Sequence, residues 1–362
     1  MICGTSGLIT RRTAVLRLAG VAGGLLATSR AAGEDLGCLQ DQTVRWLVGY
    51  TPGGGYDAYA RLVEPFLERA LEARIMIQNL PGAAGAVALR TLADARPDGR
   101  TIGIFDGPGA LWSVALRERG VPDPARDLTM LARVTRLQQM LVTGPRSGAR
   151  RLDDLLALGR RRRLVFGATA TSSQNFVTCA VTSRIFGLEV DYVVGYPGSR
   201  ELTLALIRGD VDVISLNVES GLDALGPEGI TPLFLVAPEP VPYPQLERVP
   251  RLGAPSTLEP QRRDQFAGAS ADARELGDAI GTYLGFGRIV AAPAGLHDSV
   301  RRCLQHAVWT ALRDPGLAVA AARAQRTLAV ATADQAQREM AAARAAIVRI
   351  LPIAAAAARR AR

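Results

Sequence analysis

The residues best suited to chemistry in this sequence are glycines and hydroxyls gathered in three short turns. Pro52-Gly53-Gly54-Gly55-Tyr56-Asp57 separates an apolar run from an amphipathic one. Three consecutive glycines let backbone amides approach a bound anion closely, and the start of the following helix adds positive dipole. Asp57 is placed either to cap that helix or to face the bound molecule. The spacing lacks G-x-G-x-x-G and no Gly-Lys-Ser/Thr follows, so neither a dinucleotide fingerprint nor a P-loop is present.

The second turn, Gly167-Ala168-Thr169-Ala170-Thr171-Ser172-Ser173, crowds four hydroxyls at the mouth of a helix. Hydroxyls and amides together make a neutral anion site, and a plain N-cap by Ser172 or Ser173 is the alternative. Gly195-Tyr196-Pro197-Gly198-Ser199 is the third. A ligand at the carboxyl edges of two α/β sheets would reach all three turns, which is where open sheets of this class bind ligands. The expected contacts are Gly53, Gly54, Gly55, Tyr56, Asp57, Thr169, Thr171, Ser172, Ser173, Tyr196, Gly198 and Ser199, with Asn217 as a weaker addition.

Alternating strand-like and helix-like runs must position these turns. Arg45–Val48, Arg74–Ile77 and Thr101–Phe105 read as strands, while Asp57–Leu71 places Leu62, Val63, Phe66, Leu67, Ala70 and Leu71 on one face at a 3.6-residue period. A second series runs from helix Leu152–Leu158 through strands Arg163–Phe166 and Asp191–Val194 and helices Ser173–Phe186 and Ser199–Arg208 to Val211–Ile214 and Thr231–Val236. Strand and helix alternation of this kind predicts an α/β fold with mostly parallel sheets. Gln139–Thr143 and Leu233–Val236 are the expected crossings between the two series. Helices follow at 273–284, 298–312 and 332–350, with a strand at Ile289–Ala291 between the first two.

With 362 residues the chain has room for two or three domains. Its formal charge of +9 rests on Arg alone, since the sequence contains no Lys, and these arginines cluster away from the three turns. Phosphate-backbone binding needs a basic stripe, and single-strand binding needs aromatic platforms as well; aromatic residues make up only 5% of the chain, which argues against nucleic acid.

Residues 1–32 read as an export signal. Arg11 and Arg12 precede the apolar run Leu18–Ala27, and Ser29-Arg30-Ala31 supplies a small-x-small cleavage site near Ala31. Thr10-Arg11-Arg12 resembles a twin-arginine signal with an incomplete consensus, and general secretion is the alternative. The apolar run is shorter than the ~20 residues a bilayer span requires. Cleavage leaves Cys38, Cys179 and Cys303, which allow at most one internal disulfide and require none; no CxxC spacing is present for zinc or redox work.

An enzyme would need catalytic groups, and the sequence offers few. His297 and His306 are the only histidines and form no HExxH, no G-x-S-x-G elbow occurs, and Cys179 lies in an apolar helix pattern. No catalytic residue, metal ligand or cofactor is therefore assigned.

Four stretches in order resemble the Bug family, the substrate-binding proteins of tripartite tricarboxylate transporters. They are Pro52–Leu62, Gln78–Gly85 with Arg96–Gly103, Val165–Thr169 with Gly195–Ser199 and Arg208–Asp212, and Ala291–Gly295. The resemblance implies a two-lobed type II periplasmic-binding-protein fold that closes on a small organic carboxylate. First-lobe contacts would come from Gly53–Asp57, and second-lobe contacts from Thr169–Ser173 with Tyr196–Ser199. It further implies a periplasmic protein, read here as a monomer, that delivers its ligand to the membrane components of such a transporter. The expected boundaries are a signal at 1–32, first lobe at 42–143, second lobe at 144–236, and a return segment with C-terminal helices at 237–362. Ala170-Thr171-Ser172 stands where family members often carry further glycines, and Ser215–Ser220 departs from the family pattern. A sensory module serving a membrane receptor and a hydrolase are the alternative functions.

Overall fold

A computed structural model describes residues 38–226, 229–237, 240–252 and 271–361. The export signal expected at 1–32 lies outside the described residues. In chain order the strands are β1 Thr43–Val48, β2 Arg74–Asn79, β3 Thr101–Asp106, β4 Leu128–Thr135, β5 Gln139–Thr143, β6 Leu164–Gly167, β7 Val190–Val193, β8 Val213–Asn217, β9 Thr231–Val236, β10 Arg251–Leu252, β11 Arg288–Pro293 and β12 Ala331–Thr332. The helices are α1 Gly55–Leu71, α2 Ala86–Ala93, α3 Gly107–Ala115, α4 Pro124–Asp127, α5 Leu152–Arg161, α6 Gln174–Ile185, α7 Ser199–Arg208, α8 Val218–Ala224, α9 Ala271–Gly285, α10 Asp298–Leu312, α11 Pro315–Arg323 and α12 Ala333–Ala358.

The strands form two six-stranded sheets, ordered β12-β4-β11-β3-β1-β2 and β10-β9-β5-β8-β6-β7. Val44, Trp46, Leu47 and Val48 of β1 are all buried because parallel neighbours β2 and β3 flank the strand and helices cover both faces. The helix after it, α1, buries Tyr56, Tyr59, Ala60, Val63, Leu67 and Leu71 at three- and four-residue intervals.

One expectation needs refining and one correcting. Each sheet keeps most strands in one direction but is mixed: β11 runs antiparallel to β3 and β4, and β5 runs antiparallel to β8 and β9. The reason is topological, since a chain that leaves one sheet and later returns inserts its incoming strand in the reverse direction. Gln139–Thr143 and Leu233–Val236 are also not crossings. Both lie inside the second sheet, and the first passage between sheets is the three-residue link Arg136–Gln138, between β4 and β5. The first sheet accordingly gives way to the second before Thr143.

One buried apolar cluster joins the two sheets. It runs from Leu47, Leu89 and Phe105 to Phe166, Val213 and Phe234 by way of Leu276, Ile280 and Tyr283 of α9 and Met340, Ile347 and Ile350 of α12. Helix α12 continues through Pro352 to Ala358. Cys38 is disulfide-bonded to Cys303 of α10, and Cys179 is free and buried.

Candidate functional site

The triple-glycine turn is organised by Asp57. Gly53 adopts a positive φ of 78° and its amide donates to Asp57 Oδ2 at 2.8 Å. Arg61 Nε reaches the same oxygen at 2.9 Å, and Asn79 Nδ2 donates to Oδ1 at 3.0 Å and to the Tyr50 carbonyl at 2.9 Å. Burial would raise this carboxyl's pKa, but the bonds from Arg61, Gly53 and Asn79 together hold it below the usual value. Both Asp57 oxygens accept bonds from the turn and the elements beside it, and Asp57 is not the N-cap. The cap is Gly54, whose carbonyl accepts from Ala58 at 2.9 Å. The first amides of the helix, beginning at Gly55 and Tyr56, have no intrahelical acceptor, as at any helix start.

Tyr56 lies 3 residues before Tyr59, so both rings sit on one face of α1. Tyr56 stacks on Tyr50 with centroids 4.3 Å apart, and Arg288, from the first residue of β11, places its guanidinium 5.0 Å from the Tyr56 ring and 4.6 Å from the Tyr59 ring. Arg288 is 2% exposed, and its Nε and Nη1 have no hydrogen-bond acceptor among the described residues.

Around the second turn, Ser173 is the N-cap of α6: its hydroxyl accepts from Phe176 N at 3.3 Å and donates to the Ala170 carbonyl at 2.6 Å. Thr169 is tied through its amide to Asn175 Oδ1 at 3.3 Å. Thr171 and Ser172 are partly exposed at the tip. The third turn is anchored to the second, since Gly195 N donates to the Thr169 carbonyl at 3.1 Å. Gly198 caps α7 in extended backbone, the Ser199 carbonyl accepts from Thr203 at 2.8 Å, and Tyr196 packs on the second sheet's own apolar cluster, where burial raises its pKa.

The first and second turns face each other. Gln174, the residue after Ser173, donates its side-chain amide to Asp106 at the end of β3. The Tyr56 hydroxyl lies within electrostatic reach of the same two side chains. Asp106 also caps α3 by accepting from Gly109 N at 3.0 Å; burial outweighs these bonds and raises its pKa to about 6. From the second sheet, Gln139 Nε2 bonds Gln174 at 3.3 Å and Asn217 at 2.7 Å, while Ser215 donates to Gln139 Oε1 at 2.9 Å. Close to Asn217 in the chain, Glu219 of α8 accepts from Tyr59 at 3.0 Å. Burial and this carboxylate push the Tyr59 hydroxyl up to about 12.

Glu219, Arg288, Tyr59, Asp106 and Gln174 were not among the residues expected from the sequence. Asp106 carries a readable signal, an acidic residue ending an apolar strand before Gly107-Pro108. A cavity of about 520 Å³ adjoins this cluster: it is lined by Thr135, Gln138, Tyr243 and Thr327 among others, and Tyr59 bonds the Thr327 carbonyl at 2.8 Å. His297 caps α10, and burial pushes the Cys179 thiol up to about 12. Among the described residues no group of three or more His, Cys, Asp or Glu is placed to hold a metal ion.

Residues 59–225 match the model of the tripartite tricarboxylate transporter family receptor. Over that stretch the chain is similar to this receptor family. A UPF0065 protein of Bordetella bronchiseptica is 29% identical, covering 76% of this chain and 74% of that one. BugT of Bordetella pertussis is 24% identical over 66% of this chain and 74% of its own. Among solved structures, R. palustris Rpa4515 with adipate superposes with a TM-score of 0.68 at 21% identity, covering 86% of this chain and 97% of that one. MatC from Rhodopseudomonas palustris with bound malate gives 0.63 at 21% identity, over 84% and 98%. At these identities the structural likeness shows a two-lobed periplasmic-binding-protein fold.

Proposed function

We propose that this protein is a receptor that binds a small organic carboxylate between its two sheets and delivers it to the membrane components of a tripartite transporter. The observation that carries the reading is the meeting of the triple-glycine turn, through Tyr56 and neighbouring Asp106, with Gln174 beside the hydroxyl turn. Each turn opens a helix, α1 or α6, so amides from both lobes are available to one negatively charged guest. Adipate and malate, bound by the two R. palustris proteins of the same fold, belong to that ligand class. The contacts in this reading are the backbone of Gly53–Tyr56, the partly exposed hydroxyls of Thr171 and Ser172, and the Gly198-Ser199 edge; Asp57, Ser173 and Thr169 shape the turns.

Closure follows from contacts that exist only when the lobes meet: a ligand touching both favours the closed state by its differential affinity. The protein acts as a periplasmic monomer, with its signal removed near Ala31, and binds without turnover. A thermal-shift screen of the mature chain against mono-, di- and tricarboxylates tests this. A bound acid raises the melting temperature in proportion to RT ln(1 + [L]/Kd); conversion of any acid to product, or no shift with any, contradicts the reading.

A further inference from the structure

The two facing lobes enclose one positive and two negative side chains. Arg288 and Asp106 come from adjacent strands of the first sheet, and Glu219 comes from the helix after β8 of the second. Arg288 Nη1 stands 3.9 Å from Glu219 Oε1, beyond hydrogen-bonding distance. Arg133 is buried to the same 2% but donates to the Ala329 carbonyl at 2.8 Å and to Glu339. Arg288 instead keeps two buried donors without an acceptor among the described residues, while two aromatic faces flank its plane. A buried guanidinium with orphaned donors is a strong carboxylate receptor, because the desolvation cost is already incurred and a bidentate partner satisfies both donors.

We propose that Arg288 receives the carboxylate of the guest and that Asp106 and Glu219 select for a positive group at its other end, so the ligand is a zwitterion with one carboxylate and one ammonium, an amino acid. This rests on the carboxylate-binding reading above and narrows it. One guanidinium balances one carboxylate. A second carboxylate would be buried beside Asp106 and Glu219 with no cation to pair it, which low-dielectric surroundings penalise heavily. An ammonium in the same place meets two acceptors, one from each lobe, and so draws the lobes together. Tyr59, which donates to Glu219, and Gln174, which donates to Asp106, hold the two carboxylates in position.

The test is calorimetry on the mature chain at neutral pH with alanine, leucine and 4-aminobutyrate as zwitterions, and succinate, adipate and malate as dicarboxylates. At least one zwitterion is expected to bind ten-fold or more tighter than every dicarboxylate. Glu219→Gln, checked for folding by its melting temperature, is expected to lower that ratio ten-fold or more, and Asp106→Asn to act in the same direction. Arg288→Lys, which keeps the charge but loses the planar fork, is expected to weaken every carboxylate. Dicarboxylates binding wild type as tightly as the zwitterions, or ratios unmoved in both acidic-site variants, overturn the assignment and leave the carboxylate-receptor reading standing. Failure of all six acids to bind removes the amino-acid assignment, and failure across the wider acid screen removes the receptor reading itself.

Discussion

Across the space between the two sheets, the side-chain amide of Gln174 donates to the carboxylate of Asp106. This bond joins the start of α6 to the end of β3. A hydrogen bond to a charged group contributes about 1.5–3 kcal/mol net. Gln174→Ala is therefore expected to favour separation of the lobes and to weaken ligand binding by roughly ten-fold or more at ~1.4 kcal/mol per decade. Small-angle scattering of the ligand-free protein should show a larger radius of gyration than wild type. An unchanged radius would mean that the contact does not influence closure.

Asp57 holds the glycine turn in shape, so its loss is a matter of stability. Asp57→Ala removes the acceptor of the exposed Gly53 amide, of Arg61 and of one of the two bonds of Asn79, at ~0.5–1.5 kcal/mol for each hydrogen bond lost to water. A loss of about 1–3 kcal/mol on this basis should appear in urea denaturation at pH 7. The folded-state pKa of Asp57 is depressed. Its stabilisation is therefore present above the unfolded value of ~3.9 and fades as pH falls through the folded value. The gap between wild type and variant should accordingly shrink in acid. A gap independent of pH would contradict the ionised role.

Asp106 behaves in the opposite sense. Its pKa is raised to about 6, so the folded state holds the proton more tightly than the unfolded state does. Stability is then favoured below the unfolded pKa and declines as pH rises towards about 6. A shift of about two units at 1.36 kcal/mol each sets a ceiling of about 3 kcal/mol, reduced by solvent at this partly exposed carboxyl. Asp106→Asn, an equally good helix cap, should abolish that decline between pH 4 and 6. Parallel stability profiles for the two proteins would rule this out.

The bond between Cys38 and Cys303 closes a loop of 265 residues. Constraint of the unfolded chain over so long a loop stabilises by about 5–6 kcal/mol in the chain-entropy account. Cys38→Ser should lose that amount and become insensitive to reductant, while wild type in dithiothreitol should approach the variant. Equal melting temperatures for oxidised and reduced wild type would contradict a structural role.

Much of the scaffold was legible because it follows local rules. The periodicity of α1 and the apolar runs of β1 and β3 each carry a helix or strand signal that needs no distant partner. Direction and membership of strands did not follow. Nothing in Gln139–Thr143 shows that it runs antiparallel inside the second sheet, because that depends on where the chain crosses. The glycine and hydroxyl turns were found because their chemistry is local. Arg288 was hidden among 43 basic residues, and only tertiary packing distinguishes a guanidinium between Tyr56 and Tyr59 from one on the surface. Glu219 stood in the stretch Ser215–Ser220 that departs from the Bug pattern, a departure that marks the position without revealing its partner.

The central claim, that turns from both lobes close on one guest, is tested most directly by hydrogen exchange with and without a carboxylate that raises the melting temperature. Slowed exchange is expected together at the amides of Gly55 and Tyr56 and at those of Thr171 and Ser172. Slowing confined to one of these turns, or to neither while the ligand is bound, would place the guest elsewhere and contradict the account.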